Sequence, residues 1–176
     1  MTQRPTSGTA DQIVSAIVKR LISQFPEFNE ATCFVSDSPE PIQVPRGSVF
    51  CTVSPGEGTF PEEFQSGGGV ETLTEHFGVT ITPYVLTRAG VMDETRDALL
   101  HPERGVLTRY KLRILRAMLY EWTPQQGDSI FFLRNSTLVA VSSSRGRYWG
   151  GESELYATLS LEFRADFDWE LIEQLP

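Results

Sequence analysis

The stretch ELYATLSLEFRADFDWEL, Glu154 to Leu171, constrains the fold of this chain more than any other. Every second residue from Leu155 is apolar, running Leu, Ala, Leu, Leu, Phe, Ala, Phe, Trp, while Tyr156, Thr158, Ser160, Glu162, Arg164, Asp166 and Asp168 lie between. Side chains alternate across a strand with period two and no helical period fits, so the pattern predicts one amphipathic strand. At about 3.4 Å per residue, Leu155 to Trp169 would reach about 50 Å, beyond the usual strand of about 3–10 residues. Burying eight such side chains contributes on the order of 10–20 kcal/mol before chain entropy, so this face must meet helices or another sheet.

Two segments are long enough to supply that cover. Thr9 and Gln12 form a capping-box pattern, and Ile13, Val14, Ile17, Val18, Leu21, Ile22 and Phe25 then make one apolar stripe that ends at Pro26. From Gly105, the residues Val106, Leu107, Tyr110, Ile114, Leu115, Met118 and Leu119 make a second stripe, with Pro124 as its stop. A shorter helix is expected over Asp93 to Leu100, before Pro102.

Between these segments, SVFCTVS (Ser48 to Ser54) reads as a strand, and Val70 to Arg88 reads as a second long strand or two in line. Gly78 suggests a bulge in it, and Pro83 an edge position or bend, since proline brings no N–H to a ladder. Ser129 to Ser144 reads as a hairpin turning at Asn135-Ser136, followed by a loop RGRYWGGES. Residues 26–47 are acidic and proline-rich and read as an arm or long loop, with a short strand at Ala31 to Val35. Residues 55–69 carry five glycines and read as a flexible loop without regular structure. The sum is a single domain over residues 1–176 of class α+β: a mostly antiparallel sheet with long strands, and two main helices packed on one face.

Composition narrows the chemistry. A net charge of −8 argues against wrapping nucleic acid, which demands a dominant basic surface. Cys33 and Cys51 stand in no metal-ligand spacing and read as reduced core thiols. No apolar run approaches a membrane span and the polar start lacks the centre of a secretory signal, so the expectation is a soluble protein made in the cytoplasm. His76 and His101 have no nucleophile beside them in sequence, and no His, Cys or Asp cluster has metal-ligand spacing. Gly67, Gly68 and Gly69 lead into a strand without a following Gly-Lys-Ser/Thr, which is no phosphate loop. Glu62, Glu63 and Glu71 read as a solvated charge cluster. The sequence therefore points to no catalytic residue, metal or cofactor.

Two basic features remain. Arg109, Arg113 and Arg116 share one face of the second main helix, either as a solvated face paired with Glu162 or Asp166, or as a subunit contact. Arg145, Arg147, Tyr148 and Trp149 form a small basic and aromatic cluster suited to a protein partner.

The N-terminal helix, VSPGEG, the glycine-rich loop, VTITPYVLTRAGVMDE, the arginine-bearing helix and the closing LEFRADFDWEL together resemble the small connector proteins of tailed bacteriophages, the tail terminator or tail-completion (neck) proteins. The resemblance spans residues 10–171 and lies in the order of elements. It implies a virion protein, assembled in the host cytoplasm, whose copies form a ring, typically of six, at the head–tail junction. Such a ring would cap the tail tube protein and meet the head connector or adaptor around a channel that DNA only passes through, with an acidic lining that repels phosphates. Strands longer than their own core would extend a sheet across subunits. The loop residues Gly56, Gly58, Phe60, Phe64, Gly67, Gly68 and Gly69 would order on docking. A small cytoplasmic ligand-binding domain or hydrolase-like enzyme, with a pocket between sheet and helices, is the alternative.

Overall fold

In a computed structural model, which describes residues 8–38, 41, 48–59, 65–67, 70–87, 100–101, 103, 105–120, 136–150 and 155–172, the chain adopts an α+β fold. Its two helices are α1 (Gly8–Gln24) and α2 (Val106–Leu119). Its strands are β1 (Cys33–Val35), β2 (Val49–Thr59), β3 (Gln65–Gly67), β4 (Val70–Leu86), β5 (Ser136–Ser143), β6 (Arg147–Gly150), β7 (Leu155–Thr158) and β8 (Leu161–Ile172). All eight join one sheet, and every pairing is antiparallel except that of β1 with β2. The helix expected before Pro102 lies outside the described residues except for Leu100, as does the first arm of the hairpin expected from Ser129.

The α1 stripe buries Ile13, Val14, Ile17, Leu21 and Phe25, with Val18 and Ile22 packed at its margin. The helix begins at Gly8, so Thr9 stands inside its first turn and not before it. The second stripe buries Leu107, Tyr110, Ile114 and Met118, but α2 stops at Leu119, well short of Pro124, and Leu119 is 46% exposed. At Tyr120 the backbone turns extended (φ −102°, ψ 115°), which ends the helix. Arg20 of α1 donates from Nε to the Ala117 carbonyl at 3.1 Å, satisfying one of the carbonyls that a helix end leaves open.

β4 is the spine of the sheet. On one side it pairs with β2 and then with β3, and on the other with β8 and then with β7. What reads in the sequence as one strand from Leu155 to Trp169 is two strands that keep one register against β4, from Val70↔Ile172 through Ile81↔Leu161 to Tyr84↔Thr158 and Leu86↔Tyr156. The interruption at Leu159 and Ser160 falls opposite Pro83. Cys51 N donates to Thr32 O on the β1 side, so the Cys51↔Pro83 pair turns its backbone groups away from each other, and the missing proline N–H falls on the edge facing Leu159. The Thr158 hydroxyl donates to Pro83 O at 2.8 Å. Ser160 turns its own backbone to Ser144, with N donating to Ser144 Oγ and O accepting from Ser144 N, both at 2.8 Å. Pro83 is thus interior to the sheet, tolerated because its neighbour breaks there.

Two segments read as loops are partly strand, and the short strand expected in the acidic arm forms as Cys33–Val35. β2 runs on through Pro55, Gly56 and Gly58 to Thr59, with its register against β4 slipping between Pro55 and Gly58. The bulge sits opposite Gly78, and a Cβ on Gly56 would come within 3.0 Å of the Gly78 carbonyl oxygen, so glycine at position 56 lets the backbones approach where a loop was expected. Gly67 faces Val70, leaving only positions 68 and 69 between β3 and β4. Within the acidic arm, β1 lies parallel to β2 with Cys33 directly opposite Cys51. Arg147–Gly150 is β6 because Tyr148 and Trp149 alternate onto opposite sides of the sheet, and Gly150 ends it at φ 121°.

The larger core cluster joins α1 and α2 to Cys51, Val53, Val79, Ile81, Ala157, Leu161, Phe163 and Ala165. The intervening residues Phe50, Tyr84 and Tyr156 form a second, smaller cluster with Trp149 packed on it. Phe50 and Tyr84 are register partners with rings stacked at 4.4 Å. Both cysteines are free and buried, and burial together with the adjacent Cys33 pushes the Cys51 thiol well up, which makes it unreactive. Towards the far end, His76 Nδ1 lies 2.6 Å from Asp166 Oδ1 on its register partner, and Arg164 Nε reaches the same oxygen at 2.7 Å.

Gly56→Ala is expected to cost about 1–3 kcal/mol, because its neighbour is backbone and cannot yield, whereas Gly78→Ala, with 3.7 Å clearance, should stay within about 0.5 kcal/mol of the parent. Urea unfolding of the two variants measures the difference, and equal losses would show that the bulge does not depend on the Gly56 approach.

Candidate assembly surface

The outer surface of α2 is built by helical spacing alone. Arg109, Leu112, Arg113, Arg116, Leu119 and Tyr120 recur at i, i+3, i+4, i+7 and onward, so they share one side, and all are exposed. Leu112 is 59% and Tyr120 60% exposed, unusual for large apolar side chains on a helix whose other side is in the core. The Arg116 guanidinium lies 6.0 Å from the Tyr120 ring centre.

The three arginines are not equivalent. Arg113 donates from Nη1 to Glu27 Oε1 at 2.7 Å and lies over the Phe25 ring at 4.4 Å and the Tyr110 ring at 5.6 Å. Phe25, Phe28 and Tyr110 stack with centres 5.0 to 6.3 Å apart, so Arg113 caps an aromatic stack joining the end of α1 to α2. Burial alone would raise the Glu27 carboxyl, but hydrogen bonds from Arg113, from its own backbone and from Tyr110 hold it below its ordinary value. Burial and the bond to Glu27 push the Tyr110 hydroxyl up to about 12. The ion-pair partner is therefore neither Glu162 nor Asp166: Glu162 accepts from Ser142, and Asp166 is held by His76 and Arg164. Arg109 and Arg116 carry the outward charge of the helix.

Beside this surface, α2 and the turn between β5 and β6 enclose a cleft of about 710 Å³. Leu100, Leu107, Leu112 and Leu159 give it an apolar lining, and Lys111, Arg145 and Glu103 stand at it with charge. Lys111 Nζ donates to Ser143 Oγ at 2.7 Å, bridging helix and turn. A Cβ on Gly146 would meet Leu100 Cδ2 at 2.8 Å, so glycine lets the turn close on the leucine.

The residues expected at an interface thus divide. Arg109, Arg116, Arg145 and Arg147 are at the surface, whereas Tyr148 packs on the larger core and Trp149 against Phe50 and Tyr84, with ring centres 6.5 and 5.2 Å away. Gly56 and Gly58 belong to β2 and Gly67 to β3; Phe60, Phe64, Gly68 and Gly69 lie outside the described residues. Sequence reasoning missed Lys111 and Leu112. The available signal was Leu112 itself, an apolar residue three positions after Arg109 on a side otherwise read as basic. Among the described residues no three His, Cys, Asp or Glu side chains converge on a metal site, and no helix is long and apolar enough to cross a membrane.

Arg113→Glu should cost about 1–2 kcal/mol of folding stability by facing Glu27 with a like charge, while Arg109→Glu and Arg116→Glu should change it by less than about 0.5 kcal/mol. Chemical denaturation at neutral pH compares them, and equal losses for all three would mean the Glu27 contact contributes nothing. Glu27→Gln should cost about 1 kcal/mol at pH 7, allowing for screening at the half-exposed Arg113. Because the folded carboxyl titrates below its unfolded value of 4.5, that contribution is complete above about pH 4.5 and fades as pH falls through the folded pKa. Parent and variant stabilities should converge in acid, and a gap that persists at low pH would refute the assignment. No protein-family model matches this chain, and no curated protein matches it in sequence.

Proposed function

We propose that this protein is a structural component of a tailed-bacteriophage particle, forming a ring of about six copies that ends the tail tube and joins it to the head, with no substrate turned over. The reading combines the resemblance in element order with a mostly antiparallel sheet and two helices. The observation that carries it is the reach of β4. This strand is 17 residues long and is paired from Val70, opposite Ile172, to Leu86, opposite Tyr156. The first half, Val70 to His76, is held by pairing with β3, β8 and the end of β2. A strand of this length, beyond the usual strand of about 3–10 residues, suits a sheet that continues into another chain. The exposed Arg109, Leu112, Arg116, Leu119 and Tyr120 offer a second such surface, with arginine and aromatic residues favoured at interfaces and acid in excess elsewhere on the chain.

The leucine-lined cleft favours a second reading, a small-ligand binding domain, since its volume falls within the range of about 300–1,000 Å³ usual for ligand pockets. Electron microscopy of the purified protein, with sedimentation at rising concentration, separates the two. Rings with a central hole are expected. A chain that stays monomeric at high concentration and melts higher with one specific small molecule would overturn the ring and leave the binding domain.

A further inference from the structure

We propose that Cys33 and Cys51 are a modification site, forming a reversible disulfide that locks β1 onto β2 whether or not the chain assembles into rings. They are the two cysteines of the chain, well separated in sequence, and folding makes them direct register partners in the parallel β1–β2 pair. Paired strands lie about 4.8 Å apart, within the roughly 4.4–6.8 Å between Cα atoms that a disulfide spans. Register partners point to the same side of the sheet, here into the larger core, where both side chains are buried. The two thiols hydrogen-bond to each other there, so neither sulfur has to change sides for a bond to form.

In the closed sheet Cys51 is unreactive, so reaction waits on an opening, and the sheet offers one. β1 is a three-residue strand at the end of the sheet order, joined to β2 by Cys51 N donating to Thr32 O at 2.7 Å and Ser36 N donating to Val53 O at 3.0 Å. So short a strand detaches locally at far less cost than unfolding the domain. The oxidant is a small-molecule disulfide of the glutathione class. In the opened state the Cys33 thiolate attacks one sulfur of the reagent, whose S–S bond breaks and releases one thiol; the Cys51 thiolate then attacks the Cys33 sulfur of the mixed disulfide and releases the second. Two electrons pass from protein to reagent, and the two thiol protons end on the reduced reagent. The new bond fixes β1 and the turn before it, where Asn29 O accepts from Thr32 N at 3.0 Å and Cys33 N at 2.8 Å, directly after the Phe28 ring of the aromatic stack. Reducing surroundings leave the pair open and oxidising ones lock it.

The test incubates the full chain with oxidised or with reduced glutathione, then unfolds it for thiol titration and mass spectrometry. Two thiols are expected after reduction and none after oxidation, with the loss of two hydrogens and no glutathione attached. The oxidised chain should melt about 5–10 °C higher, the gain from closing a loop of about 18 residues in the unfolded state, and dithiothreitol should reverse the shift. Urea below the unfolding transition should speed the oxidation, because it favours the opened state. Cys33→Ala and Cys51→Ala should each abolish the melting shift; if either fails to fold, the oxidised and reduced parent chains decide between them. Two thiols that persist through prolonged exposure, a stable glutathione adduct on either cysteine, or cross-linked dimers in place of the intrachain bond would each overturn the proposal. A disulfide that forms without raising the melting temperature would overturn the lock.

Discussion

Everything in this fold depends on β4 being paired along both edges. A strand of 17 residues can stay extended only if its backbone groups find partners throughout, and here two collinear pairs of strands share that task, β2 with β3 on one side and β7 with β8 on the other. The irregularities follow from the same demand. Where Pro83 withholds a donor, the neighbouring strand breaks, and Thr158 and Ser160 redirect their hydrogen bonds to Pro83 O and Ser144. Where β2 carries an extra residue, Gly56 allows the backbones to close up, so pairing resumes at Gly58↔Phe77.

The alternation that builds the sheet also divides its duties. Odd-numbered residues of β4, Phe77, Val79, Ile81 and Val85, meet the larger core, and Tyr84 meets Phe50, Tyr156 and Trp149 in the smaller one. Helices cover a wide apolar surface with few contacts to each other, so their relative placement leans on specific links: the Arg20 bond to Ala117 and the Phe25, Phe28, Tyr110 stack beneath Arg113. Arg113 is a structural residue for this reason. Its charge is paired with Glu27, which leaves Arg109 and Arg116 as the outward basic groups on that side of α2.

The functional proposal rests on the length of β4 and on the exposed side of α2. β4 is paired from Val70 to Leu86, and α2 exposes Leu112, Leu119 and Tyr120 beside Arg109 and Arg116. In the proposed ring, these are the surfaces that would meet another copy of the chain.

By itself the sequence determined the elements whose signal is local and periodic: the α1 stripe from Ile13 to Phe25, the arginine-bearing helix from Val106, and the alternation of Leu161, Phe163 and Ala165 with Glu162 and Arg164, all of which report the dihedral period of their own segment. The broad α+β class followed from their order. Only tertiary structure decided that PGEG is a bulge and RYWG a strand, that Pro83 sits inside the sheet, that Cys33 faces Cys51, and that Glu27 is the partner of Arg113. Those outcomes depend on which residue lies across a ladder or across the helix–helix contact, tens of positions away in the chain. A period read along one strand carries no information about its register with the next.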